Sequence, residues 1–272
     1  MRKTVAIAFS LALFLALALS EAHGATLRVP QDKRGIQEAV NAAAPGDTVL
    51  VNDGEYRENV SISKPVVLKS ANGPDATIVR AAVEAAPVFS VSNASAVTLE
   101  GFTARGSDAS GISLQNVTKS SITNNRAVSN GSGISLFNSH ENAVTANSAD
   151  FNANYGIYLE KSNRNRFLDN SADYNGDKGI YLNTSNLNSF VRNTANINTW
   201  NGIVLMASHY NEMRENKALR NTYGIASDSD DNVFVDNTTW PNFFIILPII
   251  LIYIGIMYYL IQKFALRFIY KE

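Results

Sequence analysis

The segment GIYLEKSNRNRFLDNSADYNGDK, residues 156–178, decides how this chain folds, because the sequence rewrites it on either side. Gly-Ile recurs at Gly111, Gly133, Gly156, Gly179, Gly202 and Gly224, at intervals of 22 or 23 residues. Counting from each glycine, the third residue is Leu114, Leu136, Leu159, Leu182 or Leu205. The ninth is Ser120, then Asn142, Asn165, Asn188 and Asn211. The eleventh is apolar: Ile122, Val144, Phe167, Phe190 and Met213. The fourteenth is Asn125, Asn147, Asn170, Asn193 and Asn216, and the sixteenth is alanine from Ala127 to Ala218. The nineteenth is Asn130, Asn152, Asn175, Asn198 and Asn221. The last copy loses one residue and keeps Asn232, Phe234 and Asn237. A fixed period of this kind marks a repeat architecture and takes precedence over local propensity.

Apolar and polar residues alternate over short runs that stop at glycine or asparagine, which is the grammar of strands and corners. A leucine-rich repeat of similar period needs more leucines per copy. Ile-x-Leu, one further large residue and an alanine suffice to line a narrow tube. The pattern therefore predicts an all-β coil of three short strands per turn, each copy stacked on the last at about 4.8 Å as a parallel β-helix. Asparagine suits its corners because it tolerates left-handed backbone angles. The column Asn125, Asn147, Asn170, Asn193 and Asn216 is expected to form a structural ladder, amide to amide between coils.

The repeat Gly-Ile-x-Leu-x-x-Ser-x-x-Asn, completed by Ser139, Ser162, Ser185 and Ser208, resembles that of the NosD-like right-handed parallel β-helix proteins of the pectate-lyase-like superfamily. The resemblance covers roughly residues 25 to 240. It implies a single-stranded right-handed β-helix of about nine coils, roughly 40 Å long. For activity it implies little, because the superfamily holds lyases, hydrolases, esterases and non-catalytic proteins.

Outside the repeats, residues 1–24 read as a secretory signal peptide: Arg2 and Lys3, an apolar run from Val5 to Leu19, then Ala22-His23-Gly24, with cleavage before Ala25. Ile36, Ala39, Val40 and Ala43 share one helical face ended by Pro45-Gly46, as a cap on the first coil would. Residues 25–240 form the β-helix domain, with regular repeats at 111–237. Residues 243–261 carry no charge and are long enough to cross a bilayer as a helix. Lys263, Arg267 and Lys271 then make 262–272 a basic cytoplasmic tail, so the β-helix is expected outside the cell on a single-pass anchor. The chain has no cysteine, so disulfides and thiolate metal sites are excluded. With 23 basic and 24 acidic residues it carries no nucleic-acid footprint. Sequons stand at Asn59, Asn93, Asn116, Asn130, Asn183 and Asn237.

Three chemistries fit such a tube. A polysaccharide lyase or hydrolase needs acids at working separation; Asp150 and Asp173, seventeen after their glycines on adjacent coils, are the weak candidates. The Asp228, Asp230, Asp231 cluster would allow calcium. The NosD resemblance implies a part in maturing a copper enzyme, yet His140 and His209 lie three coils apart, and His209 with Met206 lacks a third ligand. The third chemistry is binding. On the Gly-Ile strand the outward positions gather Phe137, Tyr158, Glu160, Tyr181 and Asn183, an aromatic surface edged with hydrogen-bonding groups. The sequence thus favours a surface module for polysaccharide or an envelope protein, without a cofactor, over an enzyme.

Overall fold

The computed structural model describes residues 24–241 and 243–269. The expected signal peptide, bar Gly24, and the end of the basic tail lie outside the described residues.

Each turn of the chain crosses three sheets in succession. The Gly-Ile strands form one sheet of eight, from Val60–Ile62 to Tyr223–Ser227. The strands of the eleventh position form a second sheet of ten, from Thr26–Val29 to Val233–Val235. The third begins with four strands, Gly54–Arg57 to Arg126–Val128. It continues as single bridges from Arg126 through Ser148, Ser171 and Thr194 to Lys217. All pairing is parallel and matches copy to copy: Ile157 pairs with Ile134 on one side and Ile180 on the other. Ten stacked strands make about nine steps, roughly 43 Å of tube.

The repeat columns fill the interior. The isoleucines and leucines at Ile112 to Leu205 are fully buried, as are the eleventh-position residues, where Phe167 and Phe190 stack 4.4 Å apart. The pairing of glycine with alanine within each copy has a steric cause. A Cβ on Gly156 would lie 2.7 Å from Ala172 Cβ and 2.7 Å from Asn175 Nδ2. Positions zero, sixteen and nineteen therefore share one corner too tight for a larger set.

The asparagines supply the polar half of the interior. Asn170 donates its backbone N–H to Asn193 Oδ1 at 3.0 Å and its amide to the same oxygen at 2.9 Å. Its second amide hydrogen reaches Val144 O at 2.9 Å. Its own Oδ1 accepts the backbone and side-chain N–H groups of Asn147, each at 3.0 Å. The ninth and nineteenth positions repeat this pattern, and the serines carry a simpler version, Ser162 N–H donating to Ser185 Oγ at 3.0 Å. The ladder expected at the fourteenth position is thus one of four.

One detail of the corners differs from the expectation. The left-handed residue is the one before each ladder position: Ala146, Asp169, Arg192 and Glu215 precede the fourteenth, and Phe151, Tyr174, Ile197 and Arg220 the nineteenth. Its positive φ turns the chain so that the next side chain points inward and the next N–H points along the tube. A non-glycine residue there costs about 1–2 kcal/mol. The satisfied asparagine that follows offsets it.

The two ends are unlike. The helix Ile36–Ala42 buries Ile36, Ala39 and Val40 over the first coil, as its periodicity predicts. Glu58, from the coil below, accepts the free N–H groups of Ile36 and Gln37 at 2.9 and 2.8 Å. At the other end Phe234 occupies the core column and is 42% exposed. A helix, Phe243–Ile269, follows with Pro248 inside it, starting where the sequence places a span and running beyond Ile261. Among the described residues no helix is long and apolar enough to cross a membrane. The membrane-spanning helix expected at 243–261 is therefore not shown.

Asn170→Leu removes an acceptor shared by two donors in the middle of the ladder. It should lower unfolding free energy by about 1–3 kcal/mol, the cost of buried groups left unpaired. Urea or thermal unfolding reads this directly; an unchanged midpoint would mean the ladder is not a source of stability.

Candidate functional site

The Gly-Ile sheet is where the repeat allows variation on its outer side. Its inward residues are fixed by the core, so its outward residues are free to differ between copies. The structure brings all five residues expected there into one cluster. Tyr158 and Tyr181 stack at 5.3 Å, and Phe137 meets Tyr158 edge-on at 5.7 Å. The Tyr158 hydroxyl donates to Glu160 Oε2 at 3.0 Å, and Asn183 pairs with Glu160 in register on the next coil. Burial, and then the bond to Glu160, push the Tyr158 hydroxyl up to about 12. At neutral pH it is a fixed hydrogen-bonding group and cannot act as a base.

Three further residues complete the cluster. Tyr155 lies 5.2 Å from Tyr158 and 5.4 Å from Tyr181. Lys178 Nζ sits 5.4 Å above the Tyr155 ring and 5.2 Å above Tyr181, held by Asp177 at 2.8 Å. Tyr155 and Lys178 each immediately precede a repeat glycine, a column reading Ser110, Ser132, Tyr155, Lys178, Asn201 and Tyr223. That column varies as the outward positions do, and this was the available signal. Other outward residues are covered: Ser135 and Val204 are 1% and 5% exposed. The working surface is therefore local, a half-buried group of rings with a carboxylate, an amide and an ammonium at its edge. Ring faces offer apolar area while the rim fixes orientation by hydrogen bonds.

Asp150 and Asp173 do meet on adjacent coils, but their oxygens are spoken for. Asp150 accepts from Ser148 Oγ at 2.6 Å, Ser171 Oγ at 2.7 Å and the Asp173 backbone N–H at 2.7 Å. Asp173 accepts the Asn196 backbone N–H at 2.6 Å, and Asn196 in turn accepts that of Leu219 at 2.9 Å. The pair is thus part of an outer ladder. Burial first, and then the charge of Asp150, hold the Asp173 carboxyl above its ordinary value.

In the last coil, both Asp228 oxygens accept the Ala207 N–H, at 2.8 and 3.0 Å, where Thr184 one coil earlier donates to a backbone carbonyl, that of Met206. Asp231 lies 3.3 Å from His209 Nδ1, which also meets Ser229 Oγ at 2.9 Å. His140 accepts the Asn163 N–H and lies in the same outer column three coils from His209. Among the described residues no three His, Cys, Asp or Glu side chains are grouped to hold a metal ion. Several of the sequons are likewise committed. The Asn130 amide is buried in its ladder, and Asn59 donates to Val83 O, Ala86 O and Pro87 O.

A family model described as "Right handed beta helix region" matches residues 88–239. No curated protein matches the chain. Among solved structures it is similar to the periplasmic alginate epimerase AlgG, with a TM-score of 0.59 and 19% identity over 82% of this chain and 56% of that one. It is similar to the pectate lyase Pel9A, with a TM-score of 0.56 and 15% identity over 76% of this chain and 68% of that one. A third is the catalytic domain of a GH87 alpha-1,3-glucanase in complex with nigerose, with a TM-score of 0.51 and 14% identity over 74% of this chain and 44% of that one. The chain spans little more than half the length of the epimerase. At these identities the likeness is one of fold.

A carboxyl whose folded-state pKa is raised contributes stability that is present in acid and is lost as pH rises through that pKa. Asp173→Asn keeps an acceptor for Asn196 and removes the titration. Its thermal midpoint at pH 7 should rise relative to the parent, by at most about the 2–4 °C that 1 kcal/mol moves a domain of this size. The gap should close near pH 3.5. Calorimetry at both pH values checks this, and a midpoint lowered at pH 7 would assign the charge a stabilising role.

Proposed function

The chain belongs to the right-handed β-helix family, and from that premise we propose that it is a surface module binding a saccharide chain across its Gly-Ile sheet. The observation that carries this reading is the cluster of Phe137, Tyr155, Tyr158 and Tyr181, four rings on neighbouring coils with Glu160, Asn183 and Lys178 at the rim. Rings half-buried against one another are already ordered, so a ligand loses little entropy on their account. That the similar solved structures include proteins named for alginate, pectate and glucan supports a carbohydrate ligand. A hydrolase or lyase at Asp150 and Asp173 is disfavoured, because both carboxylates are engaged in inter-coil bonds. A NosD-like part in copper-enzyme maturation draws no support from His140 and His209. The ligand expected is a polysaccharide of the cell surface; an envelope protein on the same face is the other outcome of the test.

The same proposal places the module outside the cell. The apolar 243–261 stretch serves as a single membrane span, with Trp240 at the outer interface and Lys263, Arg267 and Lys271 inside. Protease added to intact cells should then remove residues 25–240 and spare an epitope placed after Glu272; a protected β-helix would reverse the orientation.

For the face itself, the double change Tyr158→Ser and Tyr181→Ser should weaken at least ten-fold the binding of at least one glycan that the full chain retains on a glycan array. That corresponds to about 1.4 kcal/mol, within what a central aromatic pair contributes to an interface. The change removes four ring–ring pairings, each worth about 0.5–1.5 kcal/mol, and an unchanged circular dichroism spectrum checks that the fold survives. Undiminished affinity in the double variant would move the site off this sheet.

A further inference from the structure

The column before the nineteenth position turns the corner between the third sheet and the Gly-Ile sheet in a left-handed conformation. Gly106, which suits this conformation, and Ser129 occupy it first, and then come Phe151 and Tyr174 at φ 56° and 58°. Bulky residues are rare in this conformation. Both are also open, 60% and 48% exposed, and they stack almost parallel at 4.8 Å and 8°. Tyr174 covers one face of Phe151. The other face looks toward the coils of Ser129 and Gly106, where the column carries no more than a hydroxymethyl group. The step from small to large side chains lies along an open surface groove of about 750 Å³ that runs from the coil of Gly106 past Phe151 to Tyr174. Its exposed polar lining comes from Glu84, Asp108, Ser129 and Asn154. Among the described residues none of these four side chains makes a hydrogen bond or an ion pair within the protein, and no Lys or Arg lines the groove.

We propose that this corner groove is a second ligand site, taking a neutral hexose-based glycan with one ring laid on the free face of Phe151. The chemistry selects that class. An aromatic face matches the apolar C–H face of a pyranose, and carboxylates, an amide and a hydroxyl accept or donate to ring hydroxyls in pairs. Glu84 and Asp108 repel a uronate, because no cation offsets them. The Gly-Ile cluster differs in this respect, since Lys178 stands over its rings. The two sites are separated by a corner, and this one rests on observations independent of the first.

The test uses the full chain in a detergent without a sugar headgroup. Calorimetric titration is run with neutral hexasaccharides of glucose and of mannose in several linkages, and with hexamers of mannuronate and galacturonate. At least one neutral hexasaccharide should bind, and in the Tyr158→Ser, Tyr181→Ser chain, which lacks the Gly-Ile site, the uronates should not. Phe151→Ser should weaken that binding at least ten-fold with an unchanged thermal midpoint, because Ser129 already holds the same backbone conformation one coil earlier. Phe151→Asn is the second variant, since asparagine tolerates that conformation. The Tyr158→Ser, Tyr181→Ser chain should bind the neutral glycan as the parent does. The proposal is overturned if no neutral hexasaccharide binds, if uronates bind the double tyrosine variant more tightly than the neutral glycan does, or if both Phe151 variants keep full affinity. Loss of this binding in the double tyrosine variant would assign the glycan to the Gly-Ile face and leave the groove without a ligand.

Discussion

Everything in this molecule hangs on a buried amide that is shared between coils. A tube this narrow turns its backbone sharply several times in each circuit, and each corner exposes N–H and C=O groups that the sheets do not pair. Asparagine resolves this from inside. In each asparagine ladder one side-chain oxygen accepts two N–H groups from the preceding coil, and the side-chain amide reaches a carbonyl of that coil. Leaving such groups unpaired costs about 1–3 kcal/mol apiece. That outweighs the left-handed residue each corner needs, about 1–2 kcal/mol where it is not glycine. Even the shortened last copy keeps the bond, Asn211 donating to Asn232 Oδ1 at 2.8 Å. The period of 22 or 23 residues is the circumference over which all four ladders close together.

The ladders also govern where function can reside. The interior is filled, and the ladder amides at the corners are consumed between coils. Even outward polar columns tend to be drawn into ladders of their own, as Asp150, Asp173 and Asn196 are. What remains is the set of outward positions that take no part in the polar ladders. On the Gly-Ile sheet they bring together Phe137, Tyr155, Tyr158 and Tyr181; at the next corner they bring together Phe151 and Tyr174. Both groups sit within the middle coils, where stacking on either side holds the backbone most firmly.

The ends face a different problem, since the first and last coils each leave a core layer uncovered. The first is closed by the Ile36–Ala42 helix, whose own free N–H groups are taken by Glu58. The last leaves Phe234, Val233 and Trp240 exposed where the chain passes into the Phe243–Ile269 helix.

The fold was written in the sequence because a stacked coil translates spatial contact into fixed spacing. Residues that touch across a step stand 22 or 23 apart, so Asn147, Asn170 and Asn193 disclose their ladder by position alone, and Gly-Ile-x-Leu discloses which residues point inward. The same register gave the stacking of Tyr158 on Tyr181 and the rim of Glu160 and Asn183. Contacts within one coil have no such signature. That glycine, alanine and the nineteenth asparagine share a corner follows from the cross-section of the tube, not from the period. Which residue takes the left-handed turn depends on how each corner bends: it is the neighbour of the asparagine. Tyr155 and Lys178 join the cluster because the chain curves back over the sheet just before each glycine. Whether a carboxylate is free or spent, as at Asp150 and Asp228, depends on donors that only the wound tube brings within reach.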